Sequence, residues 1–159
     1  MQTVAIFVDV QNIYYTTKQA YQRAFNYRHF WQHISQQAEI ITANAYAIDS
    51  SDDGQHKFQK ALKHIGFTVK LKPFIQRSDG SAKGDWDVGI TIDMLEISPT
   101  VDKVILLSGD GDFDLLLTKI KQKYQVKTQV YGVPALTAQS LINAADEFVA
   151  IHSGSDFLL

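Results

Sequence analysis

The chain has 159 residues, a formal net charge of −2 and no cysteine. That length can bury a single core, and the missing thiols exclude disulfides, thiolate metal sites and cysteine nucleophiles together. Hydrophobic residues make up 45% and charged residues 20%, which places the chain among globular rather than disordered sequences.

No apolar run approaches the roughly 20 residues of a membrane span, and Met1-Gln-Thr lacks the basic start of a signal peptide. A cytoplasmic protein with no membrane partner is the expectation. Net negative charge argues against wholesale electrostatic capture of nucleic acid. Carboxylates gathered round a cation, however, lower the formal sum while the loaded site becomes locally cationic.

In chain order, Val4 to Val8 is apolar on both faces and reads as a central, parallel first strand. It ends in Asp9-Val-Gln-Asn12, ahead of a polar helix to about Ala24. Asn12 reads as the helix N-cap, and Asp9 as a turn aspartate or a site residue. Residues 28 to 39 read as a helix with Phe30, Trp31, Ile34 and Ala38 inward, and Ile40 to Ile48 as a second strand. The acidic run 49–53 reads as a solvated loop capping the next helix, where Phe58, Ala61, Leu62 and Ile65 share a face and Gly66 stops it. Residues 67 to 74 alternate in polarity, as a strand near a sheet edge does. The loop from Gln76 to Gly84 follows. Lys70, Lys72, Arg77 and Lys83 form a local cationic cluster, either a solvated surface or a track for a phosphate backbone.

Asp85-Trp-Asp87 opens a helix through Val88, Ile92 and Leu95. Helical spacing puts Asp87 on the broad apolar arc beside Thr91 and Met94, where an unpaired carboxylate is costly. Asp93 falls on the narrow polar arc and reads as solvated or structural, with a place in the outer shell of a site as the alternative. Asp85 reads as an N-cap or a group just outside a site. Val104 to Leu107 is a fourth strand, followed by the tight polar turn Ser108-Gly-Asp-Gly-Asp112 and a helix marked by Phe113, Leu116, Leu117 and Ile120. Val126 to Tyr131 is a fifth strand. Thr137 starts a last helix with Leu141, Ala144 and Ala145 inside, and residues 148 to 151 suit a short sixth strand. One domain over 1–152 is expected, with a Ser/Gly-rich tail, 153–159, whose Phe157-Leu-Leu159 can dock.

Strands alternating with helices imply an α/β, three-layer architecture: a mainly parallel sheet of five to six strands with helices on both faces. The carboxyl ends of strands one and four then share an edge, where ligands bind in such sheets. Asp9, Asp110 and Asp112 converge there, within reach of Asp87. Four crowded carboxylates repel unless cations neutralise them. An all-oxygen set without cysteine favours Mg²⁺ or Mn²⁺ over Zn²⁺. Such a site suits attack of a metal-activated water on a phosphodiester. Asn12 and Ser108 would orient water or a phosphate oxygen, and Lys83, Lys72 and Arg77 would neutralise phosphates. Trp86, Tyr14 and Tyr15 are expected in the core, with stacking on single-stranded bases as the alternative.

Three motifs carry a resemblance: Phe7-Val-Asp9-Val-Gln-Asn12, Lys83-Gly-Asp-Trp-Asp87 with Asp93 six residues on, and Leu107-Ser-Gly-Asp-Gly-Asp-Phe113. With Ala144-Ala-Asp-Glu-Phe148, they resemble the NYN domain in its LabA-like (DUF88) branch, in order and over nearly the whole chain. The resemblance implies a PIN-like fold and a Mg²⁺-dependent ribonuclease site, with single-stranded or structured RNA as partner. By position it implies Asp9, Asp87, Asp110 and Asp112 as acidic ligands and Asn12 as their polar companion. Two departures stand out: Gly111 replaces a common serine, and Asp85-Trp86 lengthens the middle motif. The alternative is a weak or inactive regulatory or RNA-binding module of the same fold. A homodimer through apolar residues of the 14–31 region is a further expectation. A haloacid-dehalogenase phosphatase is disfavoured by Gln11, and a response receiver by Phe74-Ile75 at the end of strand three.

Overall fold

The computed structural model describes residues 1–49, 52–73, 75–76, 82–83 and 85–159, with backbone alone at 73, 75, 76, 82 and 83. The first strand, β1 (Gln2–Asp9), is central because Val4 to Val8 are buried on both faces. Helices α1 (Val10–Tyr21) and α2 (Tyr27–Ser35) lead to β2 (Ala38–Asp49), and α3 (Asp53–Ile65) leads to β3 (Thr68–Pro73). A short hairpin, β4 (Ile75–Gln76) and β5 (Ala82–Lys83), precedes α4 (Asp87–Ile97). Then come β6 (Lys103–Leu107), α5 (Asp114–Tyr124), β7 (Lys127–Gly132), α6 (Gln139–Ala144) and β8 (Glu147–Ala150).

Six strands form one sheet in the order β3-β2-β1-β6-β7-β8, every neighbouring pair parallel. The connections run outward one way from β1 and the other way from β6, so the helices divide between the faces. Alternation along β1 serves both. Val4, Ile6 and Val8 pack with Ile13 of α1, Phe30 and Ile34 of α2 and Leu62 of α3. Ala5 and Phe7 pack with Ile90 and Met94 of α4, Leu116 and Ile120 of α5 and Leu141 of α6. The reversal of order between β1 and β6 leaves a crevice at their carboxyl ends. The expected α/β three-layer architecture is the one observed. No helix among the described residues is long and apolar enough to cross a membrane.

Several local expectations are corrected. Asp9, not Asn12, caps α1, its carboxylate accepting the Asn12 N–H. Ala38 belongs to β2 rather than the preceding helix, and Ala61 is exposed while Gln59 is buried. Residues 134–136 form a 3₁₀ turn, so the last helix begins at Gln139 rather than Thr137. On α4, Val88 and Ile92 are 70% and 57% exposed, and the inward stripe is Ile90 and Met94.

Polar anchors set that phase. The Trp86 indole N–H donates to the Ala47 carbonyl at 2.9 Å. Asp93 accepts from the Tyr46 hydroxyl and the Lys70 ammonium, each at 2.7 Å, and Tyr46 in turn accepts from Asn44. Burial opposes the charged form of Asp93, but Lys70 and Tyr46 outweigh it and hold the carboxyl below its ordinary value. Asp93 is therefore structural among those readings. Asp93→Ala is expected to cost about 2 kcal/mol in urea denaturation, because the Tyr46 hydroxyl loses an ionised partner.

The tail docks. Phe157 packs against Phe25, Phe30 and Tyr131, Leu158 is buried, and Asn26 and Leu159 donate backbone N–H groups to Phe157 and Ala24 carbonyls. The Arg23 guanidinium donates to the carbonyls of Ser153, Leu158 and Leu159.

Candidate metal centre

Strand register builds the site. Val8 lies opposite Leu107, so the next residues, Asp9 and Ser108, leave adjacent strands side by side. The Ser108 hydroxyl, fully buried, donates to Asp9 Oδ2 at 3.1 Å and accepts the Asp110 N–H at 3.1 Å. Asn12 Oδ1 accepts the Gly109 N–H at 2.8 Å, which ties the start of α1 to the turn after β6. Asp110 caps the 3₁₀ turn Gly111–Phe113, accepting the Asp112 N–H at 2.9 Å. Asp87, the first residue of α4, enters from the other side with its N–H on Asp85 Oδ1.

One carboxylate oxygen each from Asp9, Asp87 and Asp110 lies within 4.8 Å of the others, all three residues half-buried. Burial pushes Asp9 up to about 6 against the help of the Ser108 hydroxyl and the Asn12 N–H, and the Asp110 and Asp85 charges add to the rise. Asp87 is pushed up to about 7, by burial first and then by the charge of Asp110 beside it. Asp9 and Asp87, which both resist ionisation, stand with the Asp110 carboxylate in a site short of positive charge. The donors are hard oxygens, partly withdrawn from water, and this set fits a divalent cation.

Three of the four expected acids meet; Asp112 stands outside the group. The reason is local: the 3₁₀ turn buries Phe113 and spends the Asp112 N–H on Asp110, leaving the Asp112 side chain exposed. Ser108 is turned inward as a support for Asp9 rather than outward to a ligand. Lys72 donates to the Asp85 carbonyl and lies 4.6 Å from the centre of the Trp86 ring, anchoring the approach to α4. Arg77 and the Lys83 side chain lie outside the described residues. Trp86 is held in the structure as expected, but Tyr14 and Tyr15, expected in the core, are 50% and 59% exposed. Gly111 has a steric reason: a Cβ there would stand 2.8 Å from that of Ala138, so a serine does not fit this turn as it is packed. The Gly109 amide is a contributor that motif reading missed; the glycine itself was its only trace.

The model of the NYN domain family matches residues 3–152. The chain belongs to that family. NYN domains fall within the PIN-like nuclease superfamily, in keeping with the parallel sheet and the acidic crevice. Low amplitude and bright protein LabA of Synechococcus elongatus is 30% identical over 163 aligned positions, covering 98% of this chain and 87% of that protein. The crystal structure of a protein of unknown function from Vibrio parahaemolyticus is 57% identical and superposes with a TM-score of 0.93. That match covers 99% of this chain and 96% of the other. This NYN chain therefore shares its whole architecture with a relative seen experimentally.

Proposed function

We propose that this NYN protein is a metal-dependent ribonuclease in which Asp9, Asp87 and Asp110 hold Mg²⁺ or Mn²⁺. The observation that carries the reading is the meeting of three carboxylates at the β1/β6 crevice, two of them with raised pKa. A divalent ion bound there supplies an activated water and neutralises charge on the phosphate under attack. The chain's own groups do the rest. Ser108 and the Asn12 N–H fix the Asp9 carboxylate, and the Asp112 N–H fixes Asp110. Asn12, with its Oδ1 occupied by Gly109, keeps its Nδ2 hydrogens for a phosphate oxygen. Asp112 adds a rim charge that draws cations in, while Arg77 and Lys83 serve the phosphate backbone of RNA and Lys72 holds the approach to α4.

Asp110→Asn tests this. The variant is expected to keep its circular dichroism spectrum while Mn²⁺-dependent cleavage of labelled single-stranded RNA falls about 100-fold or more, matching several kcal/mol of lost charge stabilisation. Full activity in the variant, or wild-type activity undiminished by EDTA, would sink the site. Binding of metal and RNA without turnover would instead assign the fold a regulatory role.

A further inference from the structure

We infer that Tyr14 and Tyr15 form a stacking corner for one unpaired base, so that the crevice selects single-stranded RNA over duplex. This rests on the ribonuclease reading and narrows its substrate. Asn12 is tied into the site through Gly109, and Tyr15 follows it by three residues, on the same helix face about one turn, or roughly 4.5 Å, along α1. Tyr14 stands beside it. Both rings are at least half exposed, with centroids 5.5 Å apart and planes at 71°. Planes so inclined make a corner, not a slot: a base lying flat on one ring meets the other edge-on.

The exposed surface of α1 decides the occupant. It carries Gln11, Tyr14, Tyr15, Lys18, Gln19 and Gln22, all exposed and none aliphatic. A protein partner, including a second copy of this chain, would set the two tyrosines within a wider aliphatic patch, and the exposed surface of α1 has no aliphatic residue to extend them. Aromatic faces amid amides, with a lysine one turn further on, are what a single strand uses: rings for bases and a cation for the backbone. In a duplex both faces of each base are covered by neighbours, and freeing one costs a few kcal/mol.

The test is fluorescence anisotropy with a fluorescein-labelled ten-nucleotide RNA, single-stranded or annealed to its complement, in an Asp110→Asn background that does not cut. The expected result is preference for the single strand and a loss of about 10- to 100-fold when Tyr14→Ala and Tyr15→Ala are added. The paired Tyr→Phe variant keeps the rings and is expected to bind within about 3-fold of its parent. With Asp110 intact, the paired Ala variant is expected to keep its Mn²⁺ affinity, measured by calorimetry, and its melting temperature. The idea fails if removing both rings leaves binding unchanged, if duplex binds as well as single strand, or if the parent binds neither. It fails equally if light scattering shows a dimer that the Ala pair makes monomeric. Ring-dependent binding by a wild type that never cuts would support the corner while overturning the enzymatic reading.

Discussion

Asp9→Asn is expected to make the metal-free protein more stable while abolishing its affinity for Mn²⁺. The folded chain holds the Asp9 pKa near 6 against an ordinary value of 3.8, so its ionised form is disfavoured by the fold. That difference amounts to roughly 2–3 kcal/mol of stability forgone at neutral pH. An uncharged amide of the same shape removes most of it. For a domain of this size the melting temperature in EDTA should rise by about 5–10 °C. Saturating Mn²⁺ is expected to reverse the order: only wild type gains the binding term, about 2.7 kcal/mol at a hundredfold excess over Kd. Melting curves with and without metal check both halves, and an asparagine variant less stable in EDTA would contradict the strain at the site.

The same strain has a signature in pH. A carboxyl whose folded pKa is raised favours the fold fully below its unfolded value and loses that advantage as pH climbs through the folded value. Metal-free wild type should therefore gain stability on acidification from about pH 7 toward pH 4, through the titration of Asp87 and Asp9. Below that, Asp93 and Asp146 work the other way: their folded pKa values are depressed, so their contributions vanish as they protonate. A stability maximum on the acid side of neutrality is expected in urea titrations with EDTA. It should flatten in Asp9→Asn. Metal binding must displace protons from these acids, so Mn²⁺ affinity should fall over the range in which stability rises.

What could be read from the residues and what could not divides along the range of the interactions. The strand at Val104–Leu107 and the turn after it are encoded in contiguous residues, as are the buried runs of β1 and β2, and all were legible. The β1/β6 crevice followed from alternation of strands and helices plus the handedness of their connections. The pairing of Asp9 with Ser108 did not, because it depends on register across 99 residues of sequence. Helix phase on α4 was misjudged for a similar reason. With apolar residues on every side of that helix, periodicity is nearly silent, and the Tyr46–Asp93–Lys70 and Trp86–Ala47 contacts decide which side turns inward. Asp112 illustrates a finer limit. Its type and spacing suit a ligand as well as those of Asp110, and only the capping of the 3₁₀ turn separates them. Tyr14 and Tyr15 ran against the expectation that they are core: both are exposed, on the helix that Asp9 caps.

Gly109→Ala is expected to damage both fold and site, although no carboxylate is touched. A Cβ at that position would stand 2.6 Å from the Leu136 carbonyl oxygen and 3.2 Å from Thr137 Cα, both backbone atoms that cannot swing aside. The turn is clamped on both sides, its Gly109 N–H on Asn12 Oδ1 and its carbonyl receiving the Ala138 N–H at 3.0 Å. Making room for a methyl group must stretch one of these bonds or push residues 136–138 off the turn. Overpacking plus a lost hydrogen bond should cost about 3 kcal/mol in urea denaturation. Gly154→Ala, where nothing lies within 4 Å, is the neutral control. The sharper consequence concerns Asp110, one residue on. If Gly109 shifts, the Asp110 N–H leaves the Ser108 hydroxyl and the carboxylate moves relative to Asp9. Mn²⁺ affinity in Gly109→Ala should then fall about tenfold or more under conditions where the variant is still folded. Unchanged affinity in a destabilised but folded variant would mean that the acids are placed independently of the turn, contrary to the hydrogen-bond chain from Asn12 through Gly109 and Ser108.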